Sequence, residues 1–177
     1  LKDGEVLKIK SIPATVHYTI TEEHIDGFTV SVSENTEGVI TSGTIQNVRF
    51  ENTYSAKGQA GIQVFKELSG QALERNQFRF RLYQKENDIL VGMASNNANG
   101  EINFNAQRYT EADDGKQYIY YMEEINAGKS AYTDADNRIY AIVNVEDNGD
   151  GTLNCNVETG AESDMEKQED RFIFRND

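Results

Sequence analysis

Three predicted β-strands each have an apolar face that ends in a polar residue. The side chains of these three polar residues can react with one another. Alternation at period two gives three such faces: Ile62, Val64 and Lys66; Tyr118, Tyr120, Met122 and Glu124; and Phe172, Phe174 and Asn176. Unpaired polar groups are costly to bury, so an amine, a carboxyl and a carboxamide that point into one core need a shared reason. We predict that these three groups lie together and react with one another.

The same pattern occurs earlier in the chain, without its lysine. The earlier faces are Val16, Tyr18, Ile20 and Glu22, and Val48, Phe50 and Asn52. Two lysines, Lys8 and Lys10, precede them, but both alternate with apolar residues and are predicted to face solvent. Glu22 and Asn52 are therefore predicted to be an acid and an amide that lack a lysine partner.

Each candidate acid has a second glutamate beside it. Glu123 and Glu23 fall on the opposite parity from the apolar faces, so Glu124 and Glu22 are the preferred candidates. A buried ion pair of the lysine and the glutamate, with a hydrogen-bonded asparagine, would use the same residues without any reaction. Alternation taken alone favours this ion pair.

The composition favours a β protein and excludes several functional classes. The 177 residues carry a net charge of −13, with one Pro and no Trp, and Tyr, Phe, Val, Ile and Thr occur in short alternating runs. No Lys/Arg stripe exists that could neutralise phosphates, so neither a nucleic acid nor an anionic membrane is a predicted partner. No apolar run approaches transmembrane length, so this segment is not predicted to enter a membrane.

Metal, cofactor and disulfide chemistry are not predicted. The chain has two His and one Cys, and Cys155 is predicted to be a small buried hydrophobic residue. Asp147–Gly151 superficially resembles a calcium loop, but it lacks the regular acidic positions of one and is predicted to be a hairpin turn. Asp113 and Asp114 are adjacent carboxylates predicted to be solvated, which argues against a hydrolase.

The order of strands and turns predicts two units. Residues 62–177 have the size and strand pattern of a complete immunoglobulin-like β-sandwich. Residues 1–53 contain only the later strands of such a domain, and we interpret them as its C-terminal half. Residues 54–61 have little apolar content and are predicted to be a linker. The predicted fold class is all-β, with tandem immunoglobulin-like units of which the first is incomplete.

The stretches that carry the polar residues resemble the tandem Cna B-type domains and pilin isopeptide-linkage domains of Gram-positive surface proteins. The resemblance lies in Tyr18–Glu22, Phe50–Tyr54, Ile62–Gly70, Phe78–Tyr83, Tyr118–Glu124, Asp147–Leu153 and Phe174–Asn176. It extends over nearly the whole chain. The order and parity of the stretches are more specific than any one of them.

The resemblance implies a covalent bond and a role for each residue. In that family a Lys on the first strand bonds to an Asn on the last strand with help from a buried acid. Lys66 would therefore bond Asn176, with Glu124 relaying protons, and Glu22 and Asn52 would be the matching acid and acceptor of the first unit. This sequence departs from the family in the first unit, because the donor lysine is absent.

Burial would supply the conditions that the bond requires. An amine attacks only when it is neutral, and burial is predicted to lower the pKa of Lys66. The residues predicted to surround it are Val64, Phe78, Phe80, Tyr118 and Phe174. A neutral Glu124 would donate a hydrogen bond to the Asn176 carbonyl, and ammonia would leave. The reaction would occur once per molecule, so an enzyme with turnover is not predicted.

The implied function is a structural stalk module of a surface adhesin or pilin, in which the crosslink resists force and proteases. Its implied partners are neighbouring repeats of the same surface protein. Its implied location is extracellular, with cell-wall anchoring through regions outside this chain. The alternative is an adhesin module that binds a host extracellular protein or glycan through loops such as Asn96–Gly100 or Gly128–Asn137.

Overall fold

The computed structural model describes residues 1–125, 138–160 and 173–176, with the backbone alone for residues 159, 160, 175 and 176. These residues form fourteen strands and one short 3₁₀ turn, so the all-β prediction is confirmed. The chain divides into two compact units, Leu1–Ser55 and Ala56–Asp177. No helix of the described residues has the length and hydropathy needed to cross a bilayer.

The first unit consists of two small antiparallel sheets. Its strands are β1 (His17–Thr19), β2 (Phe28–Glu34), β3 (Glu37–Val39) and β4 (Arg49–Tyr54). β1 pairs with β3, and β2 pairs with β4 with a register shift between Val30 and Val32. The strand predicted over Val6–Lys10 is not formed. Its side chains are exposed, because no described strand lies beside it to accept its hydrogen bonds or cover its apolar residues.

The second unit is a β-sandwich. Its strands are β5 (Lys57–Ala60), β6 (Gln63–Leu68), β7 (Arg79–Gln84), β8 (Ile89–Ser95), β9 (Glu101–Asn103), β10 (Gln107–Thr110), β11 (Gln117–Ile125), β12 (Ile139–Asp147), β13 (Leu153–Gly160) and β14 (Ile173–Asn176). The larger sheet has the order β13-β12-β11-β7-β8, and a second sheet has the order β14-β6-β9. Apolar residues of both sheets are fully buried, among them Val64, Phe80, Met122 and Phe174. The predicted immunoglobulin-like sandwich is confirmed.

Residues 54–61, predicted to be a linker, contain strand β5, which pairs with β10. The small residues of this segment allow it to pack closely against β13. A Cβ added to Gly58 would lie 2.7 Å from both the Cys155 sulfur and the Leu153 Cβ, so only glycine fits against β13 at that point. Cys155 is half-buried there.

The hairpin predicted at Asp147–Gly151 is confirmed, because it joins the antiparallel neighbours β12 and β13. The Asn148 N–H donates to the Thr152 carbonyl at 3.0 Å, and both glycines of the turn have positive φ. The described residues contain no cluster of three His, Cys, Asp or Glu side chains that could hold a metal ion.

Candidate functional site

Lys66 is buried between the two sheets of the second unit. The residue is 1% exposed. Its Nζ lies 3.2 Å from Oε2 of Glu124 and donates to the Phe174 carbonyl at 3.4 Å. The same nitrogen lies 4.7 Å from the centre of the Phe78 ring. The amine is thus held by an acid on one side and by the backbone of the last strand on the other.

Strand pairing explains why these groups meet. β14 runs parallel to β6, with Phe174 opposite Lys66 in the register. Glu124 is opposite Phe80 on the larger sheet, and the rings of Phe80 and Phe174 pack across the sandwich at 4.9 Å. Period-two alternation therefore points Lys66 and Glu124 towards each other from the two facing sheets.

The backbone places Asn176 close to this amine along β14. Asn176 is opposite Leu68 in the parallel register, two residues beyond the pair formed by Lys66 and Phe174. Two residues of strand measure about 6.6 Å, a distance that an extended lysine side chain spans. The Asn176 side chain lies outside the part of the chain that is described.

Burial and charge act on the amine in opposite directions. Burial lowers the pKa of Lys66, and the charge and hydrogen bond of Glu124 raise it by a smaller amount, so the net direction is down. Glu124 is less completely enclosed, with 15% of its side chain exposed. Passing one proton from the amine to the carboxylate would leave a neutral nucleophile beside a neutral acid, the two forms that amide exchange requires.

The first unit brings together its own acid and amide. Nδ2 of Asn52 donates to Oε1 of Glu22 at 2.7 Å, across thirty residues of chain. Both residues are exposed. The acid that makes this contact is Glu22, and Glu23 has no hydrogen bond or ion pair among the described residues. Glu22 and Asn52, the acid and the amide that the sequence pattern indicated, are thus in direct hydrogen-bond contact.

Comparison with known families decides the assignment of the second unit. The FctA family, the Spy0128-like isopeptide-containing domain, matches residues 62–177, which is more than half of the chain. The chain belongs to the FctA family. A domain of unknown function, DUF7601, matches residues 1–54. No curated protein matches the chain.

FctA membership confirms the predicted resemblance to pilin isopeptide-linkage domains. The family consists of pilin-type modules of Gram-positive surface proteins and is in general not enzymatic. The first unit matches a separate family whose description assigns no function. Its interpretation as half of a Cna B-type domain therefore stays a prediction.

Tyr118 does not belong to the FctA-type lysine site, although it was predicted to surround Lys66. It precedes Glu124 by six residues, or about 20 Å of strand. It instead packs its ring against Tyr109 at 5.2 Å and donates a hydrogen bond to Asp113. That bond raises the pKa of Tyr118 to about 12. The alternation is correct, but the face is long enough to serve two separate clusters.

The remaining acids make structural contacts. Glu123 pairs with Arg138 at 2.7 Å, away from the lysine. Asp113 accepts the Thr110 N–H at 2.8 Å, and Asp114 accepts the Asp147 N–H at the same distance. The two aspartates therefore hold the 3₁₀ turn (Glu111–Asp113) and the neighbouring hairpin, and neither faces the other as a hydrolytic pair would.

The loop Asn96–Gly100, a candidate ligand-binding loop, supports the lysine strand. Asn96 is 1% exposed. Its side chain accepts the Phe78 N–H at 2.8 Å and donates to the Glu74 and Asn97 carbonyls, each at 2.9 Å. Its amide is therefore occupied within the fold. The second candidate loop, Gly128–Asn137, lies outside the described residues.

Among the described residues, Gly100 contacts the site although the alternation pattern did not indicate it. Its carbonyl accepts the Lys66 N–H at 2.7 Å, and its φ is +84°. A Cβ at this position would overlap the Lys66 carbonyl oxygen. A glycine at the end of a turn rich in asparagine, just before β9, is the sequence signal that points to it.

Gly100→Ala is therefore expected to displace the backbone of Lys66. We expect the free energy of unfolding to fall by at least about 2 kcal/mol and the crosslinked fraction to drop. Gly115→Ala is the matched control, because Gly115 also has positive φ (+71°) but no neighbour within 4 Å of the added Cβ. Urea unfolding and intact-mass measurement compare the two variants. Equal losses in both would show that contact with Lys66 is unimportant.

Proposed function

We propose that this chain is a structural stalk module of a Gram-positive surface adhesin or pilin, closed by an isopeptide bond between Lys66 and Asn176. The observation that carries the proposal is the buried Lys66 amine, 3.2 Å from the Glu124 carboxyl and in contact with the strand that ends at Asn176. Neighbouring repeats of the same surface protein are the proposed partners. Cell-wall anchoring would be supplied by regions outside this chain.

The proposed reaction is an amide exchange that balances without a cofactor. The neutral Nζ of Lys66 attacks the side-chain carbonyl carbon of Asn176 to form a C–N bond. Glu124 hydrogen-bonds the developing oxyanion, passes its proton to the departing nitrogen and takes up the proton that Nζ loses. The original C–N bond of the carboxamide breaks, and one ammonia molecule leaves. No oxidation or reduction takes place.

Holding the amine and the amide in position removes a large part of the barrier that makes uncatalysed amide exchange slow. Holding two reacting groups in contact contributes on the order of 7–11 kcal/mol towards the barrier. The fold fixes one partner firmly, because Lys66 is enclosed by Phe78, Phe174 and Glu124. A single turnover suffices, so the rate can be far below that of an ordinary enzyme.

The contacts around the lysine would also suit an ion pair that never reacts. Two considerations favour the covalent bond. A buried ion pair is weak support for stability, since desolvation offsets most of its attraction, and the chain belongs to an isopeptide-containing family. The two states differ in covalent mass, which makes them straightforward to separate.

The strand arrangement suits a module under tension. β6 and β14 are adjacent and parallel, so force that enters before β6 and leaves after β14 pulls the two strands past each other. Only backbone hydrogen bonds and side-chain packing resist that movement in an uncrosslinked sandwich. A bond between Lys66 and Asn176 would pass the force directly from one strand to the other.

Single-molecule pulling tests this proposal. With force applied at residues 56 and 177, the wild-type second unit is expected to extend only by the few residues before Lys66. Lys66→Ala should release about 110 residues more than the wild type, or roughly 370 Å of additional chain at ~3.3–3.6 Å per residue. Lys57→Ala, which removes an exposed lysine of β5, should behave as the wild type. A wild-type extension equal to that of Lys66→Ala would contradict the proposal.

The uncrosslinked state has a characteristic pH dependence. Asn176→Ala should leave a free buried amine whose pKa lies below its ordinary value of 10.5. Between these two pKa values the unfolded chain binds more protons than the folded one, so stability rises with pH in that window. Urea midpoints of Asn176→Ala are expected to increase as the pH rises towards 10.5, relative to Lys66→Met/Asn176→Ala. Parallel pH curves for the two proteins would contradict a buried amine.

A further inference from the structure

Apart from tyrosines, Lys66 and Asn96 are the two buried polar residues in the part of the chain that the structure describes, each 1% exposed. The proposed reaction uses Lys66 and assigns no role to Asn96. A buried amide needs hydrogen-bond partners, and this one accepts the Phe78 N–H and donates to the Glu74 and Asn97 carbonyls. These bonds tie together two segments that contact Lys66.

The first of these segments carries the ring that covers the amine. The side-chain oxygen of Asn96 accepts the Phe78 N–H at 2.8 Å, and the Asn96 N–H donates to the Phe78 carbonyl at 3.4 Å. The Phe78 ring lies 4.7 Å from Nζ of Lys66. The ring attracts a charged amine, but burial, to which the ring contributes, is the largest influence on the pKa of Lys66 and lowers it. Holding Phe78 in place therefore helps to keep the amine neutral and reactive.

The second segment holds the main chain of the lysine. Nδ2 of Asn96 donates to the Asn97 carbonyl at 2.9 Å, and the same carbonyl accepts the Gly100 N–H at 3.1 Å. The Gly100 carbonyl in turn accepts the Lys66 N–H at 2.7 Å. Three hydrogen bonds thus lead from the Asn96 amide to the main chain of Lys66.

We propose that Asn96 is a positioning residue for the reacting amine. It acts through Phe78, which covers Nζ, and through Gly100, which holds the main chain of Lys66. It does not touch the reacting atoms, and it adds no step to the amide exchange. The role rests on the proposed Lys66–Asn176 bond and extends its requirements to a residue beyond the lysine, the acid and the acceptor amide.

The role requires both ends of a carboxamide. The oxygen of Asn96 serves one backbone N–H, and its NH₂ group serves two carbonyls. Alanine at this position would leave all three backbone groups without these partners in the interior, so the two segments would no longer be held against Lys66. A small misplacement of a reacting group slows a reaction by roughly 10²-fold. We expect a loss of that order from Asn96→Ala.

The test follows ammonia loss by intact mass in the full chain carrying Glu124→Gln, in which crosslinking is expected to be slow enough to time. Glu124 is the charged side chain paired with the amine, so its removal leaves Lys66 to set the pH dependence of the rate. Adding Asn96→Ala should slow ammonia loss near neutral pH by roughly 10²-fold. It should also move the midpoint of the pH–rate profile up towards 10.5, the ordinary pKa of lysine, because the amine becomes less buried.

Phe78→Leu tests the same role without depending on the folding of the alanine variant. It removes the ring and keeps the backbone bonds to Asn96, so it should move the midpoint of the pH–rate profile in the same direction. Combined with Asn96→Ala, it should move the midpoint little further, because both changes act through the same ring. An unchanged midpoint in Phe78→Leu would overturn the proposal.

Val145→Ala is the control for a general loss of stability. Val145 is 1% exposed and bonds to the Lys116 carbonyl, at the end of β11 remote from Glu124. In the same background it should lower the urea midpoint and leave both the rate and the pH midpoint of ammonia loss unchanged. Equal slowing in Val145→Ala and Asn96→Ala would show that Asn96 supports stability alone.

The outcomes distinguish this inference from the proposed function. A wild-type chain that has its full sequence mass overturns the Lys66–Asn176 bond, and the positioning role with it. A wild-type chain lighter by one ammonia, with Asn96→Ala reacting at the rate and pH midpoint of its parent, overturns the positioning role and leaves the bond standing.

Discussion

Lys66→Met is expected to restore the full sequence mass of the chain and to lower its free energy of unfolding by about 4–5 kcal/mol. That figure is the chain-entropy value of closing a loop of about 100 residues, the size that a bond from Lys66 to Asn176 would close. Methionine fills a similar volume without a charge, so the loss reports the covalent bond more than a cavity.

Intact mass and urea unfolding measure the two effects separately. Lys57→Met is the matched control, because Lys57 is exposed and lies on β5, the strand that precedes β6 in the chain. It should keep the mass deficit and the stability of the wild type. If Lys66→Met retained the deficit of one ammonia, another lysine would be the donor and the assignment of Lys66 would be wrong.

Glu124→Gln is expected to slow crosslinking by roughly 10²–10⁴-fold without preventing the fold. Glutamine has nearly the same shape and can still hydrogen-bond an oxyanion, but it cannot exchange a proton with the amine or the leaving nitrogen. Freshly purified Glu124→Gln should therefore have the full sequence mass and lose ammonia slowly. The measurement is a time course of intact mass after purification.

Glu123→Gln provides the control for the glutamate substitution. Glu123 is the preceding residue on the same strand, and its carboxylate pairs with Arg138. Its loss should leave crosslinking complete at the first time point. Equal rates in the two variants would remove Glu124 from the mechanism and leave the amine–amide contact as the sole requirement.

Strand alternation predicted the contacts of the site because its residues lie in central, buried strands. Lys66 and Glu124 end apolar faces, and the structure places their charged atoms 3.2 Å apart. Glu22 and Asn52 were also assigned to inward faces, and they form a hydrogen bond. Both are exposed and Glu22 lies beyond the end of β1, so their predicted burial is wrong. In a sheet packed on one side, the period of two leaves little freedom in where a side chain points.

Alternation failed where pairing depends on groups remote in the sequence. Val6–Lys10 alternates well but has no described strand beside it. Lys57–Ala60 looks like a linker but forms β5, because its glycine fits against β13. Gly100 supports Lys66 through a hydrogen bond between the Lys66 N–H and the Gly100 carbonyl. A pattern of side-chain types does not predict such a backbone contact between a loop and a strand.

Tyr118 shows a further limit of the same reasoning. It shares a strand face with Glu124, and the two were assigned to one site. The strand is nine residues long, so one face extends from the lysine at one end to a tyrosine–aspartate cluster at the other. Parity identifies the face of a residue, and only the register of the neighbouring strands identifies its contacts.

The most direct test of the central claim is fragment mapping of the intact chain after proteolysis. We expect one branched fragment in which a peptide containing Lys66 is joined to a peptide containing Asn176, with a mass one ammonia below the sum of the two. Recovery of those two peptides as separate species, each with its unmodified mass, would contradict the claim.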